Sequence, residues 1–207
     1  MDTLLNERVL FKITVLYKGV NMSNPACVLP DPILTPEAYL LLENDNKTGT
    51  RHEYVNGLIY AMTGASRNHN RIIRRLMTRL DRHLQGTPCE PYQSDMKVKV
   101  QRGNDVRFYY PDVQVSCEEE TDLYYNEHPC LIIEVLSDST QRTDRTEKRL
   151  AYQTIERLQE YVLLSQDSPY LEIYRRRSEW QREGFTGAQS VTLESVDLTL
   201  MVEELYP

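Results

Sequence analysis

The run Leu131-Ile132-Ile133-Glu134-Val135-Leu136 constrains this chain more than any other stretch. It has strand length and is rich in β-branched residues, the pattern of an inner strand covered on both faces. A carboxylate in the middle of such a strand is costly to desolvate unless a cation or hydrogen-bond donors meet it. Two flanking stretches bear on that demand. In Tyr110-Pro111-Asp112-Val113-Gln114-Val115, alternation puts Asp112 and Gln114 on one face and Val113 and Val115 on the other. From Thr143 to Leu158 the repeat is helical, with Asp144, Lys148, Ala151, Tyr152 and Ile155 on one arc. Arg145, Arg149, Gln153 and Glu156 fall away from it. If this helix packs across the strands, two carboxylates and one lysine converge.

At 207 residues with 40% hydrophobic content, the chain suits one folded domain with a real core. The formal charge of −7 argues against coating nucleic acid by bulk electrostatics, though not against a carboxylate metal site with local basic groups. Cys27, Cys89, Cys117 and Cys130 lack CxxC or His spacing for zinc, so reduced structural thiols in a cytoplasmic protein are expected. The apolar stretch Val9–Tyr17 is short, broken by Lys12 and without a cleavage site, so neither signal peptide nor membrane span is expected. Residues 1–30 read as an extension or disordered lead-in, with Met22 an alternative start, and 31–207 as a single domain.

Along the chain, Thr35-Pro36 opens a short helix through Leu42. Asn56-Gly57 between Glu53-Tyr54-Val55 and Leu58–Met62 signals a hairpin with a type I′ turn. Glu53 either reaches a cleft from that hairpin or sits as an exposed strand carboxylate. Ser66 to Leu84 is a long helix with a stripe of Ile72, Ile73, Leu76, Met77, Leu80 and Leu84. Its arginines, Arg67, Arg71, Arg74 and Arg75 with Arg79 and Arg82, either contact phosphates or form a solvated face. His69 near its start is a structural or a site residue. Strands follow near Met96–Val100 and Val106–Tyr110, then an acidic loop from Glu118 expected to be solvated. Glu160–Leu164 and Tyr170–Tyr174 read as strands, with Trp180–Phe185 pairing back onto the second. Arg175–Arg177 forms a second basic patch or a charged strand edge, and Leu200–Leu205 a closing helix.

The order Pro111-Asp112, Glu134-Val135-Leu136-Ser137, Asp144 with Lys148, and Glu160-Tyr161 resembles the PD-(D/E)xK nuclease superfamily, and within it the Uma family of restriction-endonuclease-like proteins. Arg51-His52-Glu53-Tyr54, Asn56-Gly57 and His69 match that family's opening. The resemblance implies an α/β fold with a restriction-endonuclease-like core, a mixed β-sheet flanked by helices and an N-terminal β-hairpin. It implies a Mg²⁺-dependent endonuclease, with Mn²⁺ able to substitute, acting on DNA as a homodimer. Asp112, Glu134 and the carbonyl of Val135 would hold the metal, and Asp112, Glu134 and Lys148 would be catalytic. Glu53, His69 and Asp144 would support them. The superfamily's lysine would stand at position 136, where this chain has Leu136, and the Uma-like variant moves it to Lys148 on the following helix. The alternative is a non-catalytic module, binding nucleic acid or protein, that keeps the nuclease fold.

Overall fold

The computed structural model describes residues 34–206. The lead-in expected at 1–30, the apolar stretch Val9–Tyr17, Cys27 and the choice between Met1 and Met22 lie outside the described residues. Two compact units divide the rest: 34–63 with 105–107, and 64–104 with 108–206.

In the first unit, helix α1 (Pro36–Asn44) starts at Thr35, whose side chain accepts a hydrogen bond from Ala38 N. Strands β1 (His52–Val55) and β2 (Leu58–Ala61) form an antiparallel hairpin with Val55 opposite Leu58. Asn56 at φ 46° and Gly57 at φ 97° supply the left-handed pair that a two-residue turn requires. Glu43 clamps this unit, its carboxylate accepting from His52 N at 2.8 Å and lying 3.1 Å from His52 Nδ1.

The second unit begins with helix α2 (Arg67–Leu84), capped by Ser66, whose hydroxyl accepts from His69 N at 3.1 Å. Strands β3 (Glu90–Gln93), β4 (Lys97–Arg102), β5 (Asp105–Tyr109), β6 (Val113–Ser116) and β7 (Tyr125–Asn126) follow, the first three residues of β5 belonging to the first unit. Strand β8 (Pro129–Leu136) leads into a helical segment, 141–152. Strands β9 (Glu160–Ser165), β10 (Tyr170–Arg175) and β11 (Arg182–Thr186) come next, then a hairpin of β12 (Ser190–Leu193) and β13 (Leu198–Met201). Six strands form one mixed sheet in the order β11-β10-β9-β8-β6-β3, in which only the β8–β9 pair is parallel. The fold is therefore α/β, as expected. Among the described residues no helix is long and apolar enough to cross a membrane.

Strand β8 is inner and covered on both faces. Leu131, Ile133 and Val135 join Ile72, Leu76 and Leu80 of α2 in the main core. The alternate residues Ile132 and Glu134 point to the opposite face, where the 141–152 segment lies.

Several expectations need correcting. The helix expected over 143–158 is shorter, and its middle turn, Asp144–Lys148, is a π-helix. The turns that follow it are met by Arg176, whose guanidinium donates to the carbonyls of Ile155 and Leu158. The expected closing helix reduces to a 3₁₀ turn, Val202–Leu205. Strand β3 escaped the sequence reading because Pro91 weakens the strand signal, yet an edge strand tolerates proline. Arg175 is no surface patch: it is buried and donates to Glu160 Oε1 at 2.9 Å, with Glu183 2.7 Å away. The acidic loop is not simply solvated, because Glu120 accepts from Ser116 Oγ, Glu127 N and His128 N. The cysteines are not all reduced: Cys89 and Cys117 form a disulfide that ties the approach to β3 to the end of β6, leaving Cys130 free.

Candidate functional site

Strand pairing sets the first relationship. Val113 lies opposite Ile133, so the residue before Val113 comes beside Glu134 and Val135 at one end of the sheet. There Asp112 N donates to Glu134 Oε2 at 3.2 Å, and Asp112 Oδ2 accepts from Val135 N at 2.7 Å. Strand β8 thus replaces its lost ladder partner with an aspartate side chain. Pro111 has no N–H of its own to extend the ladder. The Asp112 carbonyl accepts from Ser94 N at 3.1 Å.

Helix α2 supplies the next partner. The Ser66 cap starts the helix so that His69, one turn in, falls on its buried face, with Nε2 3.0 Å from Asp112 Oδ2. A carboxylate only accepts, so His69 donates from Nε2. His69 Nδ1 is buried with no hydrogen-bond partner among the described residues. Ser66 Oγ also donates to Gln166 Oε1 at 2.8 Å, linking the helix cap to the turn after β9.

The π-turn brings in the cation. Asp144 and Lys148 are both buried, and Lys148 Nζ lies 3.3 Å from Glu134 Oε1 and 3.5 Å from Asp144 Oδ1. A π-turn inserts one extra residue per turn, and such turns recur at functional sites. Tyr152, one turn on, donates to Glu134 Oε1 at 3.3 Å. Tyr109 sits beneath the ammonium, with its ring centroid 5.6 Å from Nζ and its hydroxyl donating to Glu147 Oε1. Tyr161 donates to the Asp144 carbonyl at 3.0 Å, and burial with the Glu134 and Asp144 charges raises its pKa well above the usual phenol value.

The expected site residues are therefore distributed as follows. Glu134, Lys148 and Asp144 form one buried cluster, and Asp112 joins it through its own amide while its carboxylate turns to His69. Val135 binds Asp112 through N–H. Glu53 lies half-buried on β1 in the first unit. Arg67, Arg71, Arg74 and Arg75 lie along α2, the first three exposed. Tyr152 and Tyr109 escaped assignment, although Tyr152 stands four residues beyond Lys148 on the same arc.

Among the described residues no group of three or more His, Cys, Asp or Glu side chains could hold a metal. An ion would rest on Asp112 and Glu134, completed by main-chain oxygen. The donors are all hard oxygens, the type suited to Mg²⁺ or Mn²⁺. Asp112 has capacity left: its side chain is 18% exposed, and its Oδ1 accepts no hydrogen bond among the described residues.

Residues 36–203 match the family described as "Uma2: Putative restriction endonuclease". The uncharacterized protein slr1290 of Synechocystis sp. is 35% identical over 181 residues, covering 86% of this chain and 93% of that protein. A second uncharacterized Synechocystis protein, sll1609, is 33% identical over 148 residues, or 70% of this chain and 81% of its own. The crystal structure of a putative nuclease belonging to DUF820 from Anabaena variabilis superposes with a TM-score of 0.66 at 20% identity. It covers 82% of this chain and 95% of its own, a likeness of fold.

Proposed function

As this chain belongs to the Uma2 family of putative restriction endonucleases, we propose that it is a divalent-cation-dependent endonuclease hydrolysing phosphodiester bonds in DNA. The observation that carries this reading is the junction of Asp112, just before β6, and Glu134 on the neighbouring β8, with Lys148 3.3 Å from Glu134.

Asp112 and Glu134 would hold the ion, with the Val135 carbonyl, which lies on the same side of its strand as the N–H donated to Asp112. When bound, the ion supplies charge neutralisation at the phosphate and activation of the attacking water. The chain's own residues do the rest. Asp144 and Glu134 hold the Lys148 ammonium in place, where its charge stabilises the phosphate in the transition state. Tyr152 fixes the Glu134 carboxylate from behind, and His69 fixes Asp112. Arg67 and Arg71, exposed at the same end of α2, are phosphate contacts. Concerted cutting of both strands would take two copies, a homodimer.

A second reading draws on the same cluster. With Leu136 in place of a lysine and Lys148 buried between two carboxylates, the residues also suit a structural ion pair in a non-catalytic module. Supercoiled plasmid incubated with Mg²⁺ or Mn²⁺ separates the two. Wild type should nick and linearise it, and Asp112→Ala should not. The ions should also raise the melting temperature of wild type but not of Asp112→Ala. Failure of wild type to cleave or to gain stability from either ion would leave the non-catalytic module.

A further inference from the structure

Beyond His69, α2 continues for four turns, and its outer face is built from cations. Arg74, Arg75, Arg79, Arg82 and His83 line a groove of about 670 Å³ whose only acidic residue, among the described residues, is Glu204. Two of the arginines are already engaged there: Arg79 Nη2 lies 3.1 Å from Glu204 Oε2, and Arg75 donates to the Glu204 carbonyl at 3.4 Å. His83 is held by the Val196 carbonyl, 2.9 Å from Nε2. Arg74 and Arg82 are exposed and take part in no ion pair among the described residues. A smaller hollow next to Ser66, lined by Arg67 and Arg71, continues the same face toward Asp112. In a protein of formal charge −7 this is a concentrated strip of positive charge. Exposed guanidiniums that lack carboxylate partners are positioned for an external anion.

Resting on the nuclease reading, we infer that this groove grips the phosphate backbone of the nucleic acid being cut, at a distance from the scissile bond. At 1.5 Å per residue the groove begins about 8 Å along the helix from His69 and ends about 20 Å along. Phosphates recur every ~3.4 Å of duplex axis on each strand. The groove therefore reaches roughly six base pairs beyond the site, and it sets a minimum substrate length on that side. Arg75 and Arg79 form its wall, already ordered by Glu204, while Arg74 and Arg82 are its free contacts. The repeated, regularly spaced cations favour a polyanion over a single acidic side chain, because the one carboxylate in the lining, that of Glu204, pairs with only one of them, Arg79.

The test needs no cleavage. Binding of a fluorescein-labelled duplex of about 24 base pairs, followed by anisotropy without divalent ions, gives affinity against salt concentration. Compare wild type, Arg74→Gln/Arg82→Gln, and Arg102→Gln, an exposed arginine at the end of β4. The double variant should melt as wild type does, since both side chains are exposed. Its salt slope should fall by about 2, at close to 0.9 per lost phosphate contact, and its affinity by roughly 10- to 100-fold near 0.1 M salt. If the double variant binds the long duplex as Arg102→Gln does while wild type still cleaves plasmid, the groove inference fails and the nuclease reading stands. If wild type neither binds duplex nor cleaves, both fall. If the double variant instead alters self-association in sedimentation with duplex binding intact, the groove takes an acidic surface of a second copy and the inference is overturned.

Discussion

Lys148 Nζ lies 3.3 Å from Glu134 Oε1, across 14 residues of sequence and on the face of β8 away from α2, and both side chains are buried. Asp144 shares the same ammonium at 3.5 Å. One ammonium is therefore shared by two buried carboxylates. A divalent ion at Asp112 and Glu134 would add a second cation beside this pair.

Lys148→Met keeps the aliphatic stem and removes the charge. Single-turnover cleavage should fall by roughly 10²–10³-fold, the scale for losing one preorganised electrostatic group. The metal-free variant should also melt lower than wild type, because Glu134 and Asp144 lose their shared partner. Breaking a buried ion pair by removing one partner costs about 3–5 kcal/mol. Added Mg²⁺ should recover more stability in the variant than in wild type. Arg149→Met, whose side chain stacks over Tyr174 and not on the cluster, serves as the control. Cleavage by Lys148→Met equal to wild type would remove the lysine from the chemistry.

Arg175→Met tests a purely structural cluster. Arg175 is buried against Glu160, whose side chain is 1% exposed, and also donates to the Thr192 carbonyl at 2.9 Å. Its loss should cost about 3–5 kcal/mol in urea unfolding, since Glu160 would be left as a buried unpaired charge. Arg177→Met, two residues on, removes only an exposed pair with Glu194 and should shift the unfolding midpoint little. Equal midpoints for the two variants would show that Glu160 is satisfied by Ser195 N and Oγ alone.

The sulfur cluster gives a chemical prediction. Cys117 Sγ, bonded to Cys89, lies 3.5 Å from Cys130 Sγ. Burial, reinforced by the Glu160 charge, pushes the Cys130 thiol up to about 11. Thiolate is the reactive form, so iodoacetamide should label native Cys130 slowly at pH 8 and progressively faster as pH rises toward 11. Peptide mapping without reductant should recover Cys89 linked to Cys117. Rapid labelling of native Cys130 at pH 8, or a Cys117–Cys130 link in the map, would contradict the arrangement.

Local signals made much of this protein legible. Thr35-Pro36 and Ser66 mark helix starts because a side-chain oxygen before a run of good helix formers satisfies an orphan amide wherever it occurs. Asn56-Gly57 specifies its turn for an equally local reason, the positive φ both residues tolerate. The period of Leu131–Leu136 announced an inner strand, and the 3.6-residue arc correctly grouped Asp144, Lys148, Ala151, Tyr152 and Ile155 as buried. Periodicity does not reveal how long a helix lasts. Residues 153–158 keep helical spacing but lie in turns closed by bonds to the third residue back, Thr154 N to the Ala151 carbonyl and Ile155 N to that of Tyr152, and Arg176, 18 and 21 residues away, meets the carbonyls of Leu158 and Ile155.

What the sequence by itself determined, then, was which side chains turn inward: burial follows from local repeat, and Glu134 and Lys148 both fall on inward faces. Which partner each charge meets was decided only by tertiary structure. Asp112 reaches Val135 N and His69 because β6 begins one residue later, opposite Ile133, and α2 lies over that end of the sheet. Arg175 and Glu120 read as surface charge in sequence, yet pairing β10 with β9 and β11, and folding the 118–128 loop onto its own carboxylate, buried both. Cys89 and Cys117 sit 28 residues apart with no motif between them, and only the β3–β6 pairing brings their sulfurs within bonding distance. A charge or a thiol carries no record of its distant neighbours. Its chemistry is set by the strand that happens to lie beside it.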